Sequence, residues 1–197
     1  MLRIARVLHR TTSEGPGIRT AVWVQGCSIR CRGCINPHLF STRGGYDIAP
    51  ANLIDEVKDT GGEGITILGG EPFDQPSDCA DLAEVAQNAG LGVIVFTGYR
   101  HETLAARGPD ELRLLANTDC LVDGPYEADR PENQRALVGS TNQRFLHLTD
   151  RYSDYDPYCA TNQVDVRIQP DGTVEFAGFL TKDELMTLSR TIGHRRR

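Results

Sequence analysis

Between residues 64 and 124 short apolar runs alternate with stretches of helical period, and this alternation restricts the possible folds more than any other feature of the chain. "GITILGG" (64–70), "LGVIVFTG" (91–98) and "CLVDG" (120–124) have the continuously apolar character of strands covered on both faces. The stretches around them read as helices. In "PANLIDEVKDTGG" (50–62) Pro50 opens the element, Leu53, Ile54 and Val57 share a face, and Gly61-Gly62 is the stop. In "SDCADLAEVAQNAG" (77–90) Ser77 is the predicted N-cap, Leu82, Val85, Ala86 and Ala89 recur at helical spacing, and Gly90 ends the run. "PDELRLLAN" (109–117) starts at Pro109. "TAVWVQG" (20–26) is the predicted first strand and "QRFLHL" (143–148) a fifth. Strands joined by helices form parallel βαβ units, whose working residues gather at the carboxyl ends of the strands. A closed eight-stranded barrel takes roughly 250 residues. The 197 residues here therefore predict an α/β fold, a partial (βα)5–6 TIM-like barrel with about five or six parallel strands.

The end of the chain changes period. "VDVRIQPDGTVEFAGF" (164–179) alternates by twos about Pro170-Asp171-Gly172, a β-hairpin signature. A final helix is predicted after it, with Thr181 and Glu184 as a capping box and Leu185, Leu188 and Ile192 on the inner face. The chain reads as one domain, 1–197, with a core at 14–148 and a C-terminal extension at 150–197.

The formal net charge of −6 gives no support for a nucleic-acid partner, and Arg195-Arg196-Arg197 reads as a solvated tail. The N-terminus lacks the apolar core of a secretory signal, and no stretch approaches the ~20 apolar residues that span a bilayer. The expectation is a cytoplasmic protein with no membrane partner. In a reducing compartment clustered cysteines point to metal binding or catalysis and away from a disulfide framework. Cys79, Cys120 and Cys159 stand alone and are expected to be small buried hydrophobes.

The other three do not. "GCSIRCRGCINP" (26–37) places Cys27, Cys31 and Cys34 on one loop at the end of a predicted strand, with Gly33 letting the backbone fold closely beside them. Four-thiolate clusters and structural zinc sites are coordinatively full, whereas three thiolates on a four-iron cluster leave one iron open to an outside ligand. Zinc held by the same three cysteines and His38 is the competing reading. One βα unit later "GGEPFDQ" (69–75) offers Gly69 and Gly70, which expose backbone groups, and the carboxylate of Glu71. Such a turn can hold a polar ligand by its amine.

With these two motifs in view, the sequence resembles the radical S-adenosylmethionine enzymes. "CSIRCRGC" matches their Cys-x3-Cys-x2-Cys loop and "GGEP" their methionine-binding turn. Within them it is most similar to the small activating enzymes of glycyl-radical proteins, the anaerobic ribonucleoside-triphosphate reductase activating group above all. "EGPGIRT" (14–20), "FTGY" (96–99), "LVDGPY" (121–126) and "GSTNQR" (139–144) carry that likeness. Gly33 stands where many superfamily members have an aromatic residue, and agrees with the reductase-activating group.

The resemblance implies a [4Fe-4S] cluster on Cys27, Cys31 and Cys34 and S-adenosyl-L-methionine on the open iron. It implies Gly33 and Ile35 against the adenosine, and Gly69, Gly70 and Glu71 receiving the methionine amine. Thr97 and Asp123, by strand position, would contact the ribose, the carboxylate or a nearby cation, or else are exposed caps of their strands; Asn36 and Arg19 are candidates for the rim, with salt bridges or loop packing as the alternative reading. The implied chemistry is reductive cleavage to a 5′-deoxyadenosyl radical that abstracts hydrogen from a glycyl-radical protein, with a flavodoxin- or ferredoxin-like electron donor. A small-molecule or peptide substrate is the alternative, and a non-enzymatic zinc-binding domain a third reading. "RYSDYDPYC" (151–159) reads as packing and turn chemistry, or as a border of the substrate entrance.

Overall fold

The computed structural model describes residues 1–179 together with Glu184, Met186, Thr187 and Arg190. The strands and helices run β1 (Leu2–Thr11), β2 (Arg19–Val24), β3 (Tyr46–Ile48), α1 (Pro50–Thr60), β4 (Gly64–Gly69), α2 (Pro76–Asn88), β5 (Gly92–Phe96), α3 (His101–Ala105), α4 (Pro109–Ala116), β6 (Cys120–Asp123), β7 (Arg144–His147), β8 (Val164–Ile168) and β9 (Val174–Gly178). The first seven strands form one sheet in the order β3-β1-β2-β4-β5-β6-β7, and β8 and β9 form a separate hairpin. The predicted capping box and inner face of a final helix involve Thr181, Leu185, Leu188 and Ile192, which lie outside the described residues.

The parallel heart of the sheet is β2-β4-β5-β6. Each strand is apolar nearly throughout because both faces are covered. Alternation sends Val22 and Val24 of β2 into the larger core, with Leu53, Ile54 and Val57 of α1 and Leu82, Ala83 and Ala86 of α2. Ala21 and Trp23 point the other way, into a smaller core with Leu8, Leu39, Leu68 and Ala177 of β9. Helices therefore cover one face and the C-terminal hairpin the other. Each fully buried aliphatic side chain of α1 contributes about 2 kcal/mol.

Several expectations are corrected. The strand that delivers the cysteines is the second, because β1 precedes it and pairs with it antiparallel. Register shifts at Ile4/Arg6 and Leu8/Thr11 interrupt the period of β1, and Arg10 is left-handed at φ 55°. Among the described residues four strands are parallel, not five or six. β7 returns antiparallel to β6, since no helix occurs between Gly124 and Gln143 to make the crossover that a parallel return requires. β3 and α3 had no legible signal in the sequence. α2 begins at Pro76 after Gln75, and Ser77 is no cap; its carbonyl and hydroxyl accept from the Arg113 guanidinium.

The remaining elements follow the sequence closely. α1 stops at Gly61, left-handed at φ 71°. The hairpin turns at 169–173, where Gly172 (φ 83°) donates to the Gln169 carbonyl. Cys79 and Cys120 are buried, but Cys159 is exposed and its thiol donates to Asp156 at 3.3 Å. None of the described helices is long and apolar enough to cross a membrane.

Candidate functional site

β2 and β4 run parallel in register to Val24↔Gly69, so the chain leaves both strands at the same end of the sheet. The cysteine loop begins three residues after Val24 and the glycine turn begins at Gly69 itself. Backbone bonds continue past the strands: Gly70 N–H donates to the Val24 carbonyl at 2.9 Å and Glu71 N–H to the Gly26 carbonyl at 2.8 Å. A side chain at Gly70 would collide with that Gly26 carbonyl, and one at Gly69 (φ 106°) would stand 2.6 Å from Trp23 Cα. Only glycine permits this approach.

Cys27, Cys31 and Cys34 are each half-buried on the loop. Cys34 N–H donates to the Cys31 carbonyl at 3.2 Å, closing a turn, and Asn36 N–H donates to Cys34 Sγ at 3.4 Å. Burial raises the Cys27 and Cys34 thiols above their ordinary pKa; N–H groups of Arg30 and Ile29 at Cys27, and of Asn36 at Cys34, act in the opposite sense. Gly33 is left-handed at φ 81° and faces Tyr126 and Ala128, each 3.4 Å from where a Cβ would stand. Ile35 is 50% exposed, an uncovered aliphatic side chain directly after Cys34. His38 is exposed in a 3-10 turn, Pro37–Leu39.

Among the described residues no three His, Cys, Asp or Glu side chains are grouped so as to hold a single metal ion. The three thiols of a cubane bind three different irons and so do not converge on one point. Soft donors, an N–H group donating to the Cys34 sulfur and a glycine that brings the backbone close all suit an iron–sulfur cluster. The residues present fit the group.

The polar residues read as ligand contacts are bonded into the protein. Glu71 is 1% exposed. Its Oε1 accepts from Phe73 N–H at 2.9 Å and Thr97 Oγ1 at 2.8 Å, and its Oε2 accepts from Gly98 N–H at 2.9 Å. Desolvation raises its pKa to about 7, against the pull of those three donors. Thr97 also accepts from Tyr99 N–H at 3.1 Å. Glu71 and Thr97 thus tie the end of β4 to the end of β5. Asp123, fully buried, accepts from Arg144 Nε at 2.8 Å, His101 N–H at 2.8 Å and Arg100 at 3.4 Å. Arg19 is not at the rim. It starts β2, at the opposite end from the cysteines, where its buried guanidinium donates to Thr66 Oγ1, the Pro16 and Ile65 carbonyls and Tyr152 OH.

Of the tyrosine-rich segment, Tyr152 lies against Arg19 and Tyr155 against Phe145, as packing. A cavity of about 510 Å³ runs between β7 and this segment, lined by Gln143, Arg144, Phe145, Tyr155 and Tyr158 among others. No residue of the cysteine loop or the glycine turn lines it.

Sequence reasoning missed the residues that anchor the cysteine loop. Asp74 accepts from Ser28 N–H at 2.6 Å and Ser28 Oγ at 2.8 Å, and Tyr99 OH donates to Asp74 at 3.2 Å. Gly98 leaves room for Ile29, whose Cδ1 would be 2.6 Å from a Cβ there. The one available signal was an acid three residues past Glu71, inside the quoted "GGEPFDQ".

The family model described as "4Fe-4S single cluster domain" matches residues 13–146. The anaerobic ribonucleoside-triphosphate reductase-activating protein of Pasteurella multocida is 31% identical, over 69% of this chain and 91% of its own length. That of Escherichia coli K12 is 29% identical, over 68% of this chain and 92% of its own. The pyruvate formate-lyase-activating enzyme of Clostridium pasteurianum is 34% identical, over 50% of this chain and 44% of its own. The solved structure of QueE from Escherichia coli aligns at a TM-score of 0.44 and 17% identity, over 51% of this chain and 53% of that one. The chain belongs to the 4Fe-4S single cluster domain family, as a radical S-adenosylmethionine enzyme of the activating type with a [4Fe-4S] cluster and S-adenosylmethionine as its cofactors.

Proposed function

We propose that this protein is an activase that installs a glycyl radical on a partner enzyme. The observation that carries the reading is the backbone seam between the cysteine loop and the glycine turn, at the carboxyl ends of two parallel strands. The names of the relatives, which activate anaerobic ribonucleotide reductase and pyruvate formate-lyase, support a partner of the glycyl-radical kind. In this reading the sheet with its hairpin is an open, partial barrel, and 1–197 acts as one domain.

Cys27, Cys31 and Cys34 would hold three irons of the cluster and leave the fourth for the amino and carboxylate groups of S-adenosylmethionine. A cluster so held would supply the electron for reductive cleavage of S-adenosylmethionine, and with it the chemistry for hydrogen-atom abstraction from the partner. The protein's part is placement. Glu71, already bonded to Phe73, Thr97 and Gly98, keeps the turn in shape, so the carbonyls of Gly69 and Gly70 are left to accept from the methionine ammonium. Gly33 lets the loop lie close against Tyr126 and Ala128, and the exposed Ile35 offers an apolar surface to the adenosine. Thr97 and Asp123 support the strand ends on which these groups sit. A small flavodoxin- or ferredoxin-like protein would deliver the electron.

The test is anaerobic reconstitution followed by reduction. The native chain should hold about four irons, release methionine and 5′-deoxyadenosine, and give a glycyl-radical electron paramagnetic resonance signal in the partner. Replacing Cys27, Cys31 and Cys34 together by Ala should abolish all three, whereas Cys79→Ala should keep them at a cost of about 1 kcal/mol in stability. Zinc bound in place of iron, with no cleavage, would overturn the reading. Cleavage that proceeds only with a small metabolite or peptide would overturn the choice of partner.

A further inference from the structure

Asp74 is neither a cluster ligand nor one of the Gly-Gly-Glu-Pro residues, yet its carboxylate is the side-chain anchor of the residue that follows Cys27. The Ser28 N–H, directly after that cysteine, donates to Asp74 Oδ2 at 2.6 Å. The Ser28 hydroxyl reinforces this by donating to Oδ1 at 2.8 Å, so that Asp74 grips one residue at two points.

Asp74 is itself held. Its N–H donates to the Glu71 carbonyl at 3.0 Å, which fixes it to the glycine turn. Tyr99 OH donates to Oδ1 at 3.2 Å and lies 3.0 Å from Ser28 Oγ. The Tyr99 ring is covered by the Arg107 guanidinium at 3.9 Å. Residues from the loop after β2, the turn after β4 and the segment after β5 therefore meet on one carboxylate. The site gains two things from this: a loop whose first ligand has a fixed backbone, and a negative charge next to that ligand.

Resting on the functional reading above, we propose that Asp74 is a positioning residue for the iron–sulfur cluster. Through Ser28 it holds the backbone directly after the first ligand in one conformation, and its charge keeps the bound cluster more strongly reducing. Cluster potential follows local charge and hydrogen bonding at sulfur, and residues that hold ligands typically change metal affinity 10–100-fold when removed.

The experiment separates geometry from charge. Asp74→Asn keeps an acceptor for Ser28 N–H and loses the charge; Asp74→Ala loses both; Tyr99→Phe removes one donor to the carboxylate. Each is reconstituted anaerobically beside the native chain, with folding followed by circular dichroism. Iron release to a chelator and the midpoint potential, titrated through the electron paramagnetic resonance signal of the reduced cluster, are then measured. Asp74→Asn should hold its iron as the native protein does, at a more positive midpoint potential. Asp74→Ala should share that shift and release iron about tenfold faster or more. Tyr99→Phe should fall between native and Asp74→Ala in release. A native chain that loads its cluster, with Asp74→Asn and Asp74→Ala matching it in both measurements, overturns the proposal and leaves the functional reading standing. A native chain that assembles no four-iron cluster overturns both.

Discussion

At Gly70 a single hydrogen atom separates a working turn from a collision. The obstacle is the Gly26 carbonyl, which is backbone and cannot rotate aside, and it also accepts from Glu71 N–H. Gly70→Ala must break that bond and part the two motifs. We expect a loss of about 3 kcal/mol or more and a fall in iron retained after reconstitution. Gly90→Ala is the control. Gly90, unlike Gly70, is left-handed, at φ 79°, but nothing lies within 4 Å of its would-be Cβ. It should cost only the strain of that conformation, about 1–2 kcal/mol, with iron content unchanged. Equal iron loss in both variants would show that lost stability in general, and not the clash at Gly26, governs iron retention. At this scale the sequence was informative: cysteines and paired glycines announce their chemistry wherever they fall. The anchor at Ser28, Asp74 and Tyr99 was not legible. Its members lie 46 and 71 positions apart, and only the register of three parallel strands brings them together.

Among the elements, the hairpin of β8 and β9 was readable from its period of two and its Pro-Asp-Gly turn, but its place in the fold was not. It lies on the sheet face opposite the helices. Ala177 is buried with Trp23 and Leu68, and the Phe179 ring meets Phe96 at 6.1 Å. Phe96 directly precedes Thr97, so this contact braces the end of β5. Phe179→Ala should lower the urea midpoint by the equivalent of about 1–2 kcal/mol, because the ring is only half-buried. An unchanged midpoint would mean that the hairpin rests on the sheet without supporting it. β1 was missed because arginines and a histidine interleave its apolar residues and two register shifts break its alternation. The reversed direction of β7 was missed because its apolar run reads alike for a parallel or an antiparallel neighbour.

Across the whole molecule, Glu14 joins the beginning of the chain to its end. Its carboxylate accepts from Gly178 N–H at 2.7 Å, and it is 3% exposed. Burial raises its pKa to about 7, helped by Asp165 and opposed by the Gly178 bond and Arg6. The folded protein therefore keeps a proton that the unfolded chain gives up above its ordinary pKa of about 4.5. Stability from this group is full below that value and falls as pH rises toward 7, by an amount on the order of 3 kcal/mol. Denaturation of the cluster-free chain from pH 4.5 to 7.5 should show this slope together with that of Glu71, also raised to about 7, and Glu14→Gln should make it shallower by the Glu14 share. A slope unchanged by the substitution would assign all of it to other groups.

The bonds from Gly70 to Val24 and from Glu71 to Gly26 carry a lesson for anyone who wishes to move this chemistry to another scaffold. The thiol-bearing segment and its glycine neighbour are one stitched patch of main chain, aligned to the residue by the strands beneath. Transplanted singly, either would arrive without its mate, and an insertion of one position in either strand would leave the stitches facing the wrong atoms.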